Sequence, residues 1–163
     1  MNTLNLEFKS INLQQHADLC CRFIADTHLC SYRTMDGFLE EGQTPQRFLD
    51  RIAAKLAEDP ESCLHVWQGE EIVGQINFGT FVDPAIGYLS FFYVAPPWQG
   101  TGVAAEMNGF VMRRFQQRGY KTACLSVTAF NERARQFYLK CGWTDLGPRE
   151  DQPATHNMEK TVV

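Results

Sequence analysis

The alternation of apolar and polar residues along the chain predicts its strands. Leu4, Leu6 and Phe8 alternate with polar neighbours, which indicates a first strand with one buried face. In residues 88–94 both alternating sets of positions are largely apolar, so we expect that strand to be buried on both faces. Apolar runs bounded by turn residues predict further strands at 63–67, 72–78, 86–94, 122–127, 143–146 and 156–162.

Apolar residues spaced three or four positions apart predict the helices. They fall at 12–24, 44–58, 102–119 and 131–141. Asn12, Thr44 and Asn131 precede helical stripes and are the predicted N-caps, because their side chains can accept from unpaired backbone N–H groups. Residues 26–43 keep no clear period, so we expect a loop with a broken helix there.

The order of these elements predicts one parallel pair of strands. The strand at 86–94, the helix at 102–119 and the strand at 122–127 form a strand–helix–strand unit, whose crossover is expected to be right-handed. Ligands of such sheets bind beyond the carboxyl ends of the strands. Val94 and Val127 lie at those ends, so we expect the functional site near them.

Composition narrows the class of protein. With 163 residues the chain is long enough for a core, and we expect a single domain over 1–163. The apolar content of 44% and the charged content of 21% are ordinary for a globular protein. A net charge of -4 disfavours nucleic-acid binding. Mild acidity would attract a cationic amine, but it also serves simple solubility.

The spacing of the cysteines and the length of the apolar runs indicate the cellular compartment in which we expect the protein. The six cysteines match neither a zinc site nor a redox pair, so we expect free thiols. The start of the sequence has no basic segment followed by a long apolar stretch, and no apolar run approaches ~18 residues. We therefore expect a cytoplasmic protein that has no membrane partner.

A loop rich in proline and glycine lies between the strand at 86–94 and the next helix. Pro96 and Pro97 are expected to stop any strand or helix, and Gly100 and Gly102 follow. The N–H groups at such a helix start, with the helix dipole, suit a phosphate or pyrophosphate. The loop lacks the Gly-Lys-Ser/Thr of a P-loop and the full dinucleotide fingerprint.

Two motifs in this region resemble one known family. Gln99-x-x-Gly102-x-Ala104 resembles the pyrophosphate loop of the GNAT family of N-acetyltransferases, whose pattern is Gln/Arg-x-x-Gly-x-Gly/Ala. Ala104 stands where glycine is commoner in the family.

The second motif lies one helix and one strand downstream, in the order found in the family. Asn131-x-x-Ala134-x-x-x-Tyr138-x-x-x-Gly142-Trp143 resembles the family signature Asn-x-x-Ala-x-x-x-Tyr-x-x-x-Gly-Phe. Trp143 takes the place of the phenylalanine. The motif-level resemblance covers about residues 88–143.

The resemblance implies an α/β (α+β) GNAT fold. Its sheet would be mixed, mostly antiparallel and splayed at one parallel pair of strands, with helices on both faces. The implied activity is transfer of acetyl from acetyl-coenzyme A to a primary amine by direct attack in a ternary complex. We expect a small-molecule amine as the acceptor and partner. The alternatives are acetylation of a protein lysine or N-terminus, and a non-catalytic module that binds or senses acyl-coenzyme A.

The resemblance also implies roles for individual residues. A backbone N–H near Val94 would polarise the thioester carbonyl, and Tyr138 would act as acid toward the departing thiolate. No metal is needed, and the sequence holds no cluster of metal ligands. The residues implied to bind coenzyme A are Phe92, Val94, Gln99, Gly100, Thr101, Gly102, Val103, Ala104, Ala105, Asn131 and Tyr138.

Several points stay open at this level. The general base has no clear signal, and the candidates are Asp36, Glu40, Glu41, His65, Glu106 and a chain of water molecules. In the branch that acetylates ribosomal-protein N-termini, a glutamate stands where this sequence has Ser126, which argues against that branch or at least against its base. The family uses the region that corresponds to 26–43 for its acceptor site, although a plain surface connection fits as well. Homodimers are frequent in the family, so a homodimer is one expectation.

Overall fold

The computed structural model describes residues 3–32 and 44–163 of the chain. Within them, four helices and seven strands follow in this order: β1 (Leu6–Ser10), α1 (Leu13–Tyr32), α2 (Pro45–Glu58), β2 (Cys63–Gln68), β3 (Glu71–Thr80), β4 (Ile86–Val94), α3 (Val103–Gln117), β5 (Thr122–Thr128), α4 (Glu132–Lys140), β6 (Thr144–Pro148) and β7 (Thr155–Thr161). A single 3-10 turn, Pro96–Trp98, lies between β4 and α3.

The seven strands form one mixed sheet in the order β1-β2-β3-β4-β5-β7-β6. β4 and β5 are its parallel pair, and their register runs from Ile86 opposite Thr122 to Leu89 opposite Leu125. Both strands continue beyond this paired stretch, β4 to Val94 and β5 to Thr128. The predicted mixed sheet with one parallel pair is therefore confirmed.

Packing divides the chain into two compact units, Met1–Asn77 with Phe91–Val103 and Phe78–Ser90 with Ala104–Val163. In the first unit, Ile52 of α2 is buried in a cluster with Cys20 of α1 and Cys63 of β2. In the second, Phe78 and Phe115 are fully buried and their ring centroids lie 5.5 Å apart. Each unit thus has an apolar core of its own.

The predicted helix starts are confirmed by their hydrogen bonds. The Asn12 side chain accepts from the N–H groups of Gln14 and Gln15 at 3.1 and 3.2 Å. The Thr44 hydroxyl accepts from the N–H of Arg47 at 3.2 Å, directly before Pro45. These short polar side chains satisfy donors that have no partner inside the helix.

The first helix is longer than its sequence pattern predicts. A loop with a broken helix was expected from Asp26 onward, but α1 continues as helix to Tyr32. The Thr27 hydroxyl donates to the Phe23 carbonyl at 2.8 Å, and the Phe23 ring packs 4.5 Å from that of Tyr93. This contact joins residues far apart in the chain, so no local period signals it. The rest of the expected loop, 33–43, lies outside the described residues.

Two smaller expectations were wrong. Ser90 is exposed and Tyr88 and Phe92 are half-buried, so only one face of β4 is buried along its length. Aromatic residues count as apolar in a pattern, yet their large rings often stay partly in solvent.

The proline pair at 96–97 was expected to stop helical structure, but it begins a 3-10 turn, because proline fits the first positions of a helical turn.

No helix in 3–32 or 44–163 is long and apolar enough to cross a membrane.

Candidate active site

The loop between β4 and α3 adopts a backbone that only glycine accepts easily. Gly100 and Gly102 have φ angles of 77° and 95°. These angles lie in the left-handed region, where a Cβ clashes with the backbone. A Cβ built on Gly100 meets no atom within 4 Å, so backbone conformation and not space calls for glycine there. The surface above this residue is open to a ligand.

Side chains of the first unit hold this loop in place. The Gln99 amide donates to the Val94 carbonyl at 3.2 Å, and the Thr101 hydroxyl donates to the carbonyl of Trp98. The indole N–H of Trp98 donates to Glu71 on β3 at 2.7 Å. The motif explains Gln99, but sequence reasoning missed the anchoring pair of Trp98 and Glu71. Only the register of the β3–β4 hairpin, counted residue by residue from its turn, could have predicted that these two side chains meet.

The backbone N–H groups of this segment remain available. Among the described residues, the turn and cap hydrogen bonds use the N–H groups of Trp98 and Gln99 but none from 100–105. The first N–H groups of a helix have no carbonyl partner inside it. The segment therefore presents a run of donors, and the α3 dipole adds positive potential there. Such a run fits the charge of a pyrophosphate.

Asn131 and Tyr138 lie in the second unit. The Asn131 side-chain oxygen accepts from the N–H of Ala134 at 3.3 Å and caps α4, which leaves its amide donors for another partner. Tyr138 is 7% exposed. Burial raises the pKa of its phenol, and the charge of a Cys141 thiolate would raise it further. The phenol is thus protonated at neutral pH.

Trp143, which replaces the family phenylalanine, has a structural explanation. Its ring packs against Tyr138 with centroids 5.9 Å apart. Its indole N–H donates to the side chain of Asn108 at 3.0 Å, and both residues are buried. A phenylalanine could not make this hydrogen bond. The tryptophan at 143 therefore gains a buried polar partner, Asn108, within the second unit.

The predicted site residues divide between the two units. The first unit contains Phe92, Val94, Gln99, Gly100, Thr101, Gly102 and Val103. The second contains Ala104, Ala105, Asn131 and Tyr138. In the first unit, the Gln99–Val94 hydrogen bond connects the loop with the end of β4.

The candidate bases have different surroundings. His65 is 1% exposed, and burial lowers the pKa of its imidazole to about 4. Glu106 is exposed in the first turn of α3. Ser126 donates to the side chain of Asn157 at 2.9 Å. The remaining candidates, Asp36, Glu40 and Glu41, lie outside the described residues.

The positive residues of α4 are not equally available to a phosphate. Arg135 forms an ion pair with Asp145 at 3.0 Å, whereas Arg133 and Lys140 are exposed. In the described ranges, no group of three histidine, cysteine or acidic side chains is arranged to hold a metal ion. The cysteines whose side chains the structure describes, at 20, 21, 63, 124 and 141, are free thiols, as predicted for them.

Comparison with known proteins gives the class of the chain. Residues 23–143 match the model of the Acetyltransferase (GNAT) family. Because this match spans well over half of the chain, the protein belongs to the GNAT acetyltransferase family.

Sequence relatives share only part of their length with this chain. It is 29% identical over 116 residues to a mycothiol acetyltransferase of Streptomyces scabiei, which covers 69% of this chain and 38% of that protein. It is 32% identical over 75 residues to an uncharacterized N-acetyltransferase of Mycobacterium bovis, covering 46% of this chain and 48% of that protein. The chain thus spans less than half the length of the curated relatives it matches.

Solved structures resemble the whole chain. The PaiA N-acetyltransferase of Thermoplasma acidophilum, crystallised in complex with coenzyme A, has a TM-score of 0.77 at 13% identity, covering 97% of this chain and 99% of that one. Ard1 of Thermoplasma volcanium has a TM-score of 0.73 at 19% identity, covering 97% and 98%. At these identities the likeness establishes the fold.

Proposed function

We propose that this protein is an acetyl-coenzyme A-dependent N-acetyltransferase whose acceptor is a primary amine of a small molecule. One observation carries the proposal: the segment 99–105 follows a family motif, and its N–H groups at 100–105 make no turn or cap hydrogen bond beside an open surface at Gly100. Two relatives, one named as an acetyltransferase and one as an uncharacterized N-acetyltransferase, and a structural neighbour in complex with coenzyme A support it.

The proposed cofactor contacts use mostly backbone. The N–H groups between Gln99 and Ala105 bind the pyrophosphate, and the Asn131 amide donates to the pantetheine arm. That arm pairs with the backbone of β4 at Phe92 and Val94, as an added strand would. A backbone N–H near Val94 polarises the thioester carbonyl. An oxyanion donor of this type contributes about 3–4 kcal/mol in a well-studied hydrolase.

The proposed chemistry is a direct displacement. The amine nitrogen forms a bond to the acetyl carbon while the carbon–sulfur bond breaks, and the departing thiolate takes a proton from Tyr138. The proton that the amine loses passes through water and restores the phenol. A free thiol has a pKa of about 8.5 and a free phenol about 10. Because burial raises the pKa of Tyr138 further, this transfer is uphill and depends on the developing negative charge on sulfur.

A glycine pair tests the loop. Gly100→Ala places a side chain at a φ of 77° and is expected to weaken acetyl-coenzyme A binding about tenfold, because about 1–2 kcal/mol of backbone strain reshapes the donors. Gly69→Ala is the matched control, with a φ of 62° and an equally open Cβ in the β2–β3 turn. Calorimetric titration measures both. Equal affinities in the two variants would mean that the loop does not bind the cofactor.

Turnover tests the reaction. Thiol release from acetyl-coenzyme A is measured over a panel of amines, amino acids and short peptides, which separates small-molecule from protein acceptors. Tyr138→Phe should lower kcat by roughly 10²–10⁴-fold, the usual contribution of acid–base catalysis, while the ring that it keeps should preserve most of the cofactor affinity. Tyr88→Phe removes a hydroxyl that contacts Ser126 and serves as the control. Tight binding without turnover on any amine would favour a sensing module.

A further inference from the structure

Among the described residues, the carboxylate of Asp26 lies beside aromatic side chains near the end of β4. Asp26 of α1 is half-buried, and its Oδ2 accepts a hydrogen bond from the Tyr93 hydroxyl at 2.5 Å. Tyr93 is 8% exposed. Both residues belong to the first unit of the chain.

The surroundings of this carboxylate are apolar and aromatic. The Tyr93 ring lies 4.5 Å from that of Phe23 and is stacked 6.2 Å from that of Phe91. The three residues form one buried cluster, and Ile72 packs against it. A negative charge at the edge of such a cluster loses part of its hydration and therefore favours a positively charged partner.

The described part of the chain does not supply that partner. Asp26 forms no ion pair within 3–32 and 44–163, and its Oδ1 has no hydrogen-bond partner there. Arg22, one helical turn earlier on α1, is exposed and does not pair with it. A neutral hydroxyl holds one oxygen in place, and within the described ranges the other oxygen is left to accept from a cation.

The position of Asp26 relates it to the acceptor. Tyr93 directly precedes Val94, and a backbone N–H near Val94 polarises the thioester in the function proposed above. Adjacent residues of a strand point to opposite faces. The Tyr93 side chain points toward α1, where its hydroxyl meets the half-buried Asp26 carboxylate. A carboxylate binds an organic cation through charge-assisted hydrogen bonds.

We propose that Asp26 binds a positively charged group on the acceptor other than the amine that is acetylated, and that Tyr93 positions its carboxylate. The proposal rests on the proposed function and narrows its substrate class to amines with a second cationic group. The reacting amine must be neutral when it attacks, and a carboxylate paired with it would favour its protonated form. A carboxylate is thus better placed at a second charge.

Matched ligands and matched variants test this. A short linear diamine and the amino alcohol of the same length are titrated calorimetrically into the protein, with and without coenzyme A. We expect wild type to bind the diamine at least about tenfold more tightly, as one partly buried ion pair provides. Asp26→Asn keeps the shape and should remove this preference. Asp18→Asn makes the same change at an exposed position of α1 and should retain it.

Tyr93→Phe separates positioning from folding. It should raise KM for the diamine several-fold and leave kcat unchanged, whereas a folding defect would lower kcat and the free energy of unfolding together. Equal affinity of wild type for the two ligands, or a preference that survives in Asp26→Asn, would overturn the inference. Loss of coenzyme A binding alone would refute the proposed function instead, because the diamine preference is also measured without coenzyme A.

Discussion

Two polar clusters, each built around a histidine, show how the position of a residue in the sheet decides its charge. On β2 and β3, His65 Nε2 lies 3.0 Å from the side-chain oxygen of Gln75, and both residues are fully buried. On β7, His156 Nδ1 lies 2.9 Å from Asp145, which also accepts from Arg135 at 3.0 Å. The first cluster contains no formal charge, whereas the second is ionic.

Solvent access explains the difference. Burial lowers the pKa of His65 to about 4, and its Nδ1 has no partner in the described chain. Burial would raise the pKa of Asp145, but hydrogen bonds from the Gly147 N–H, His156 and Arg135 lower it to about 2. Asp145 lies on β6 at the edge of the sheet, where its side chain keeps 19% exposure. Charge therefore persists where water can still reach it.

The largest effect should come from making the buried cluster ionic. Gln75→Glu places a carboxylate in a fully buried position beside His65. We expect the free energy of unfolding to fall by about 3–5 kcal/mol at pH 7, the usual penalty of a poorly compensated buried charge. Urea denaturation measures it, with the exposed Gln116→Glu as control. A loss of unfolding free energy no greater than that of the control would mean that water reaches this site more freely than the structure indicates.

The second largest effect should be a loss of stability in acid, because His65 is neutral when folded. Burial lowers the pKa of the folded His65 to about 4 from its ordinary value of 6.5, so the unfolded chain binds an additional proton as the pH falls through this window. Stability should therefore fall by about 3 kcal/mol between these pH values because of this residue. His65→Gln should lack this loss, and His16→Gln should retain most of it, because the charge of His16 is the smallest of the causes that shift this pKa. Parallel pH profiles of wild type and His65→Gln would show that the imidazole is not held neutral.

The smallest effect is expected at the ionic cluster. The folded pKa of Asp145 is depressed from 3.8 to about 2, so its stabilisation is complete above the higher value and is lost as pH falls through the lower one. Asp145→Asn should cost roughly 2 kcal/mol at pH 7 and progressively less below pH 3.8. Asp151→Asn, in an exposed pair with Arg149, should cause no measurable change. A pH-independent difference for Asp145→Asn would point to lost packing.

Sequence reasoning recovered much of the fold and of the cofactor motifs. The strand and helix order, the caps at Asn12, Thr44 and Asn131, and the parallel pair all depend on local patterns or on short crossovers. The roles of the predicted site residues remain proposals. The extension of α1 past Asp26 was missed, because it rests on contacts with a strand far along the chain.

By itself, the sequence determined the family, the order of the elements and the glycines of the loop at 100 and 102, because each depends on residues close together in the chain. Only the tertiary structure decided that His65 is neutral, that Trp98 is anchored by Glu71 and that Asp26 meets Tyr93. The partners in these pairs lie up to 67 positions apart. Their energies come from burial and geometry, which exist only once the sheet has brought the partners together.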